Sequence, residues 1–187
     1  MARSDDGPAS SAESPRDPSR DPPRDPPGEH GFRQAKDVCL RQLAARARSR
    51  GELEATLARK GFAEDIIEQV LGKVEAAGLI NDADFAETWV RSRHTHQGLG
   101  RRVLHAELVR KGVAKEVADA AVADVDDEAE KDRARALVRK RLSSLDRVDE
   151  TTAFRRLVAM LARKGYSEGL SYAVASEELG ADHDRTV

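Results

Sequence analysis

The chain has 187 residues, of which 39% are hydrophobic, 4% aromatic and 35% charged, and its formal net charge is -2. So much charge with so few aromatics excludes a deep apolar enzyme pocket and points to a solvated helical protein with thin cores, and the balanced charge excludes polyanion binding by bulk attraction. The single cysteine, Cys39, excludes an internal disulfide, and no apolar run is long enough to cross a membrane, so the expected compartment is the reducing cytoplasm.

Residues 1–33 stand apart. All seven prolines fall between Pro8 and Pro27, and Arg-Asp-Pro recurs at Arg16, Arg20 and Arg24. With almost no apolar side chains this segment cannot offset its chain entropy, and it is expected to be disordered.

Residues 34–80 predict a first three-helix unit. Val38, Leu40, Leu43, Ala44 and Ala47 suggest a short first helix, and residues 52–60 a second. Residues 63–77 give a third, with Ile66, Ile67, Val70, Leu71 and Val74 on one face and Gly78 closing it. Arg46, Arg48 and Arg50 sit in the first inter-helix turn, and Arg59 and Lys60 at the end of the second helix.

Residues 81–126 predict a second unit. Asn81 is a suitable N-cap, with Asp82 and Asp84 in the positive first turn. Phe85, Ala86, Trp89 and Val90 form an apolar face, and Arg91, Arg93, His94 and His96 follow. Gly98 and Gly100 mark a loop, Arg101 and Arg102 open a helix running to Lys111, and residues 114–125 form the third helix.

Residues 127–187 predict a third unit. Residues 124–132 hold six acids and one lysine and mark the junction. A basic helix over 133–142 is broken at Ser143 and Ser144, a second runs from Thr151 or Thr152 to Lys164, and Ser167 caps a third over 167–179. No alternating strand pattern occurs.

The three units share a register. Arg-Lys-Gly ends at Gly61, Gly112 and Gly165, 51 and then 53 residues apart. Leu57, Leu108 and Leu161 stand four residues before each glycine, and Phe62, Val113 and Tyr166 directly after. Each triplet reads as a helix stop: glycine takes the left-handed backbone, the next residue packs back, and the basic pair faces the negative helix end. The fold class expected is all-α, three tandem three-helix repeats in an elongated, modular array.

No catalytic constellation, cofactor motif or metal set emerges. Ala58-Arg59-Lys60-Gly61 lacks the order of a phosphate-binding loop, His94-x-His96 lacks companions at ligand spacing, and Cys39 lies among apolar positions. Helix-turn-helix readers need positive third helices, whereas Ala63-Glu64-Asp65-Ile66-Ile67-Glu68 has the wrong sign. The basic rows around the second helices remain. They could hold phosphates in a salt-dependent way, on single- or double-stranded DNA, or meet an acidic protein surface.

Leu79-Ile80-Asn81-Asp82-Ala83-Asp84-Phe85-Ala86-Glu87-Thr88-Trp89-Val90-Arg91-Ser92-Arg93, then Gly98-Leu99-Gly100-Arg101-Arg102 and Glu107-Leu108-Val109-Arg110-Lys111-Gly112-Val113, resembles the central signature of the RecX regulatory proteins. Arg48-Ser49-Arg50 with Glu52, Leu53 and Leu57 is similar to the family's first-repeat motif. The resemblance implies a monomeric, non-enzymatic modulator that lies in the groove of the RecA filament on single-stranded DNA. It would inhibit filament extension, ATP hydrolysis and strand exchange, modulating recombination and DNA repair. A stand-alone helical DNA-binding module is the alternative. By resemblance the partner contacts fall on Arg91, Arg93, Arg101, Arg102, Arg110 and Lys111, then on Arg48, Arg50, Arg59 and Lys60. Trp89 and Phe85 are expected in the core. The tail lies outside the resemblance, and the third repeat departs from it in its longer spacer and in Ser171, which stands where Ile67 and Ala118 do.

Overall fold

The computed structural model describes residues 29–186, and side chains as far as residue 180. Within them run nine helices and no strand: α1 (Glu29–Ala45), α2 (Arg50–Arg59), α3 (Glu64–Ala76), α4 (Asp82–Gln97), α5 (Arg101–Arg110), α6 (Lys115–Ala123), α7 (Asp127–Leu142), α8 (Glu150–Lys164) and α9 (Glu168–Thr186). The disorder expected of the first 28 residues lies outside the described part.

Five helix starts have a side-chain cap. Ser49, Asn81, Asp126 and Asp149 cap α2, α4, α7 and α8 by accepting backbone N–H bonds, and Ser167 does the same for Leu170 at α9. The three Arg-Lys-Gly stops form as expected. Gly61, Gly112 and Gly165 have φ of 82, 76 and 94, and the residue after each donates to the carbonyl of the leucine four before the glycine, at 3.3, 3.2 and 3.2 Å.

Three separate cores follow. Leu53, Leu57, Val70 and Leu71 centre the first, Phe85, Ala86, Leu104, Leu108 and Ala118 the second, and Val138, Leu157, Leu161, Tyr166 and Val174 the third. In each repeat the third helix packs against both others, and every extensive helix–helix contact lies within one repeat. The buried Ser171 is satisfied by donating to the Ser167 carbonyl at 2.8 Å.

The first helix departs from expectation. It starts at Glu29, inside the segment assigned to the tail, because Phe32 gives that extra turn an apolar anchor on the first core. The Lys73 ammonium lies 4.5 Å above the Phe32 ring. Leu40 is exposed, and Cys39 faces inward in its place. Trp89 is half-buried at the edge of the second core, whereas Phe85 is inside it.

Candidate functional site

The repeats meet at two narrow joints. In both, the N-terminus of a second helix is pressed onto the Arg-Lys-Gly end of the next repeat's second helix. At the first joint the Ser49 hydroxyl donates to the Lys111 carbonyl, and the Lys111 Nζ donates to Glu52 Oε1 at 2.8 Å. Gly51 lies so close to Gly112 that a Cβ on Gly51 would stand 2.6 Å from the Gly112 Cα. Asp82, at the start of α4, accepts the Arg50 backbone N–H at 2.8 Å.

The second joint repeats the plan with different atoms. The Gly100 and Arg102 N–H groups donate to the Lys164 and Gly165 carbonyls at 2.8 and 3.2 Å. A Cβ on Gly100 would stand 2.7 Å from the Gly165 carbonyl carbon. The Lys164 Nζ and the Tyr166 hydroxyl donate to the Gln97 and Gly98 carbonyls at 2.6 and 3.2 Å, and Glu130 accepts the Arg101 N–H at 3.0 Å. Donors left over at one helix start thus meet acceptors left over at another helix end, with opposite ends of two helix dipoles in contact. Among the described residues, Gly61 has nothing within 4 Å of an added Cβ.

The ten cations singled out by sequence divide into two sets. Five are held by carboxylates of the chain. Arg50 pairs with Glu68, Glu75 and Glu54, and Arg48 lies 4.0 Å from Glu52. Arg93 pairs with Glu107 at 3.6 Å and covers Trp89 at 4.3 Å, and Lys111 is fixed by Glu52. Arg101 reaches the Val125 carbonyl, Asp127 at 2.6 Å and Glu130 at 3.6 Å, which ties the second repeat to the acidic junction. The other five are exposed and meet no carboxylate: Arg91, Arg102, Arg110, Arg59 and Lys60. Arg59 and Arg110 bond only within their own helices.

Trp89 lies among the held cations. It stacks on Phe85, its Nε1–H donates to Glu107 at 2.8 Å, and the Lys111 Nζ sits 4.1 Å from its ring. Burial pushes the Glu52 carboxyl up, but hydrogen bonds and charge from Arg46 and Lys111 outweigh it and hold the group below the usual carboxylate range. Asp82, at the same joint, is raised by its burial. Burial, with the Glu130 charge adding, pushes the Tyr166 phenol up to about 12. His94 Nδ1 lies 2.9 Å from the Leu99 carbonyl, so it carries the proton and closes the Gly98 turn.

Two concavities border these residues. One, of about 340 Å³, lies between α4, α6 and α7, and its lining includes Glu87, Arg91, His94, Asp124 and Asp126. The other, of about 720 Å³, lies along α7 and α8 and is lined by Arg141, Arg155, Arg156 and Arg163 with Thr152, Ala159 and Met160. Sequence reasoning passed over these arginines, although Arg156 and Arg163 are two helical turns apart.

Residues 35–73 match the family model described as RecX, first three-helix domain, and residues 81–122 match RecX, second three-helix domain. The chain is 58% identical over 151 residues to the regulatory protein RecX of Amycolatopsis mediterranei, covering 81% of this chain and 86% of that one. It is 48% identical over 157 residues to the regulatory protein RecX of Mycolicibacterium smegmatis, covering 81% and 83%. In fold it is similar to the crystal structure of RecX from Lactobacillus salivarius, with a TM-score of 0.75 at 23% identity over 80% of this chain and 97% of that one.

Proposed function

The chain belongs to the RecX family of regulatory proteins, and on that premise we propose that it binds the RecA recombinase filament on single-stranded DNA and inhibits its extension, ATPase and strand exchange. It does so by occupying space along the filament, without chemistry of its own, as a monomer in the cytoplasm. The observation that carries this reading is the architecture. Three self-contained cores are joined by narrow seats into a series that can follow a long, regular surface.

The division of the cations supports a division of roles. Arg91, Arg102 and Arg110, with Arg59 and Lys60, are free to reach the filament. Lys111 and Arg101, whose side chains cross between repeats, set the angles at which the repeats present them, while Arg48, Arg50 and Arg93 are paired inside their own repeats. The test is the DNA-dependent ATPase of a RecA filament titrated with the full chain. Substoichiometric protein is expected to lower it, and Arg102→Ala with Arg110→Ala to relieve the inhibition at unchanged helicity. Unchanged ATPase and filament length at excess protein would refute the reading.

A further inference from the structure

The groove along α7 and α8 gathers unpaired charge in one place. On the face of α7 that meets α9 the arginines are neutralised: Arg135 by Asp132 and Glu177, Arg139 by both oxygens of the buried Glu178. Arg141, Arg155, Arg156 and Arg163 instead converge on one concavity that no acid lines. None of the four is ion-paired, and the one hydrogen bond among them is Arg155 to the Thr152 hydroxyl at 3.4 Å. The nearby Asp149 is occupied as the α8 cap, bonded to Thr152. Asp149 offsets the charge of Arg155 in part, but four like charges gathered on one groove still disfavour the free fold slightly, a cost that a bound anion removes.

The shape and chemistry select the anion. The floor is Ala159 and Met160, and no aromatic ring lines the groove. Arg156 and Arg163 are separated by two turns, about 10 Å along the helix, so the charges form a row rather than a point. Guanidinium forks fit phosphate oxygens in pairs. A protein surface of mixed sign would meet mixed sign here, as happens at the joints of this molecule. A ligand of uniform negative charge fits, and it is read by its backbone, since nothing is present to stack or discriminate bases.

We propose that the α7–α8 groove of the third repeat, lined by Arg141, Arg155, Arg156 and Arg163, binds the phosphodiester backbone of single-stranded nucleic acid without regard to sequence. This goes beyond the regulatory reading and is tested without RecA, so either can fail alone. The probe is a fluorescein-labelled thymidine oligomer of about 20 nucleotides, long enough to exceed one binding site, and the measurement is fluorescence anisotropy across a salt series with the full chain. Four phosphate contacts give a slope of log K against log salt of about -3. The combined Arg155→Ala, Arg156→Ala and Arg163→Ala variant is expected to reduce that slope by about 2 and to weaken binding roughly 100-fold at about 0.1 M salt. All three side chains are exposed, so helicity should hold, and the combined Lys36→Ala, Arg41→Ala and Lys73→Ala variant, exposed positions of the first repeat, serves as the matched charge control. The proposal is overturned if the triple variant keeps the wild-type slope, or if the wild type does not bind the oligomer at low salt. It is equally overturned if changing the base sequence shifts affinity tenfold.

Discussion

Replacing Gly51 by alanine isolates the first joint. Its Cβ would stand 2.6 Å from the Gly112 Cα, where ordinary contact begins at 3.4 Å, so the two repeats must part by about 1 Å. Across the roughly 10 Å width of a helix contact this is a rotation of about 6°. Carried along the 16 residues of α4, about 24 Å, it displaces the far end by some 2 to 3 Å. Folding of the first repeat should not suffer, because Gly51 lies in a helix and alanine favours that state by up to about 1 kcal/mol. Two companions separate the causes. Gly61→Ala meets no neighbour but keeps a left-handed backbone, at about 1–2 kcal/mol, whereas Gly112→Ala combines that strain with a Cβ 2.7 Å from the Gly51 Cα. Trp89 is the only tryptophan, and Lys111 bridges its ring to Glu52, so indole emission reports on the joint. Gly51→Ala is expected to change emission and solution scattering at undiminished thermal stability and to weaken inhibition of the RecA ATPase. Gly61→Ala should lower thermal stability alone. Gly51→Ala with unaltered emission and scattering would show that the joint does not hold the repeats at a fixed angle.

Truncating Leu108 to alanine should cost about 2–5 kcal/mol, measured by urea unfolding, because the side chain is fully buried in the second core. Glu52 is ionised in the joint with its pKa held low, so its contribution is complete above the unfolded value and is lost as pH falls through the folded one. Trp89 emission should therefore shift on acidification, and Glu52→Gln should remove that transition. If the variant titrates like the wild type, another group controls the joint. Tyr166 carries the opposite sign: its phenol is stable as the neutral form, so stability present below pH 10 is lost as pH rises toward about 12. Ultraviolet titration should find one phenol ionising only in that window, and Tyr166→Phe should lose the bond to Gly98 at about 1 kcal/mol.

Helix number, the order of the repeats and the role of the three glycines as stops were legible in the sequence, since each depends on contacts a few residues apart. The periodic leucines before Gly61, Gly112 and Gly165 sufficed for the register. The fates of neighbouring arginines were not legible. Arg101 and Arg102 carry the same letter side by side, yet one is enclosed by Val125, Asp127 and Glu130 and the other is exposed. Which is which depends on where the acidic junction folds back, some 25 residues later. Likewise nothing local distinguishes Gly112 from Gly61, although one is a docking seat and the other faces open space. The upstream turn of α1 was missed because Phe32 is a lone apolar residue beside a proline-rich run. The α7–α8 arginines were passed over because family resemblance drew weight to the middle repeat.

The inequality of the second helices has a consequence for assembly. Helices α2 and α5 have 10 residues each, and α8 has 15. Four of its five additional residues lie at the start, and Ala153, which occupies the register position of Ser49 and Gly100, is buried in its own repeat. A head that can insert and a seat that can receive would, left open at both ends, let copies link end to end into an unbounded fibre. Among the described residues the seat at Gly61 is open, while the start of α8 is lengthened and its Ala153 is turned into its own core. Trimming Glu150 and the residues after it from α8 is expected to free a third head, and light scattering that then grows with concentration would show copies linking through the Gly61 seat.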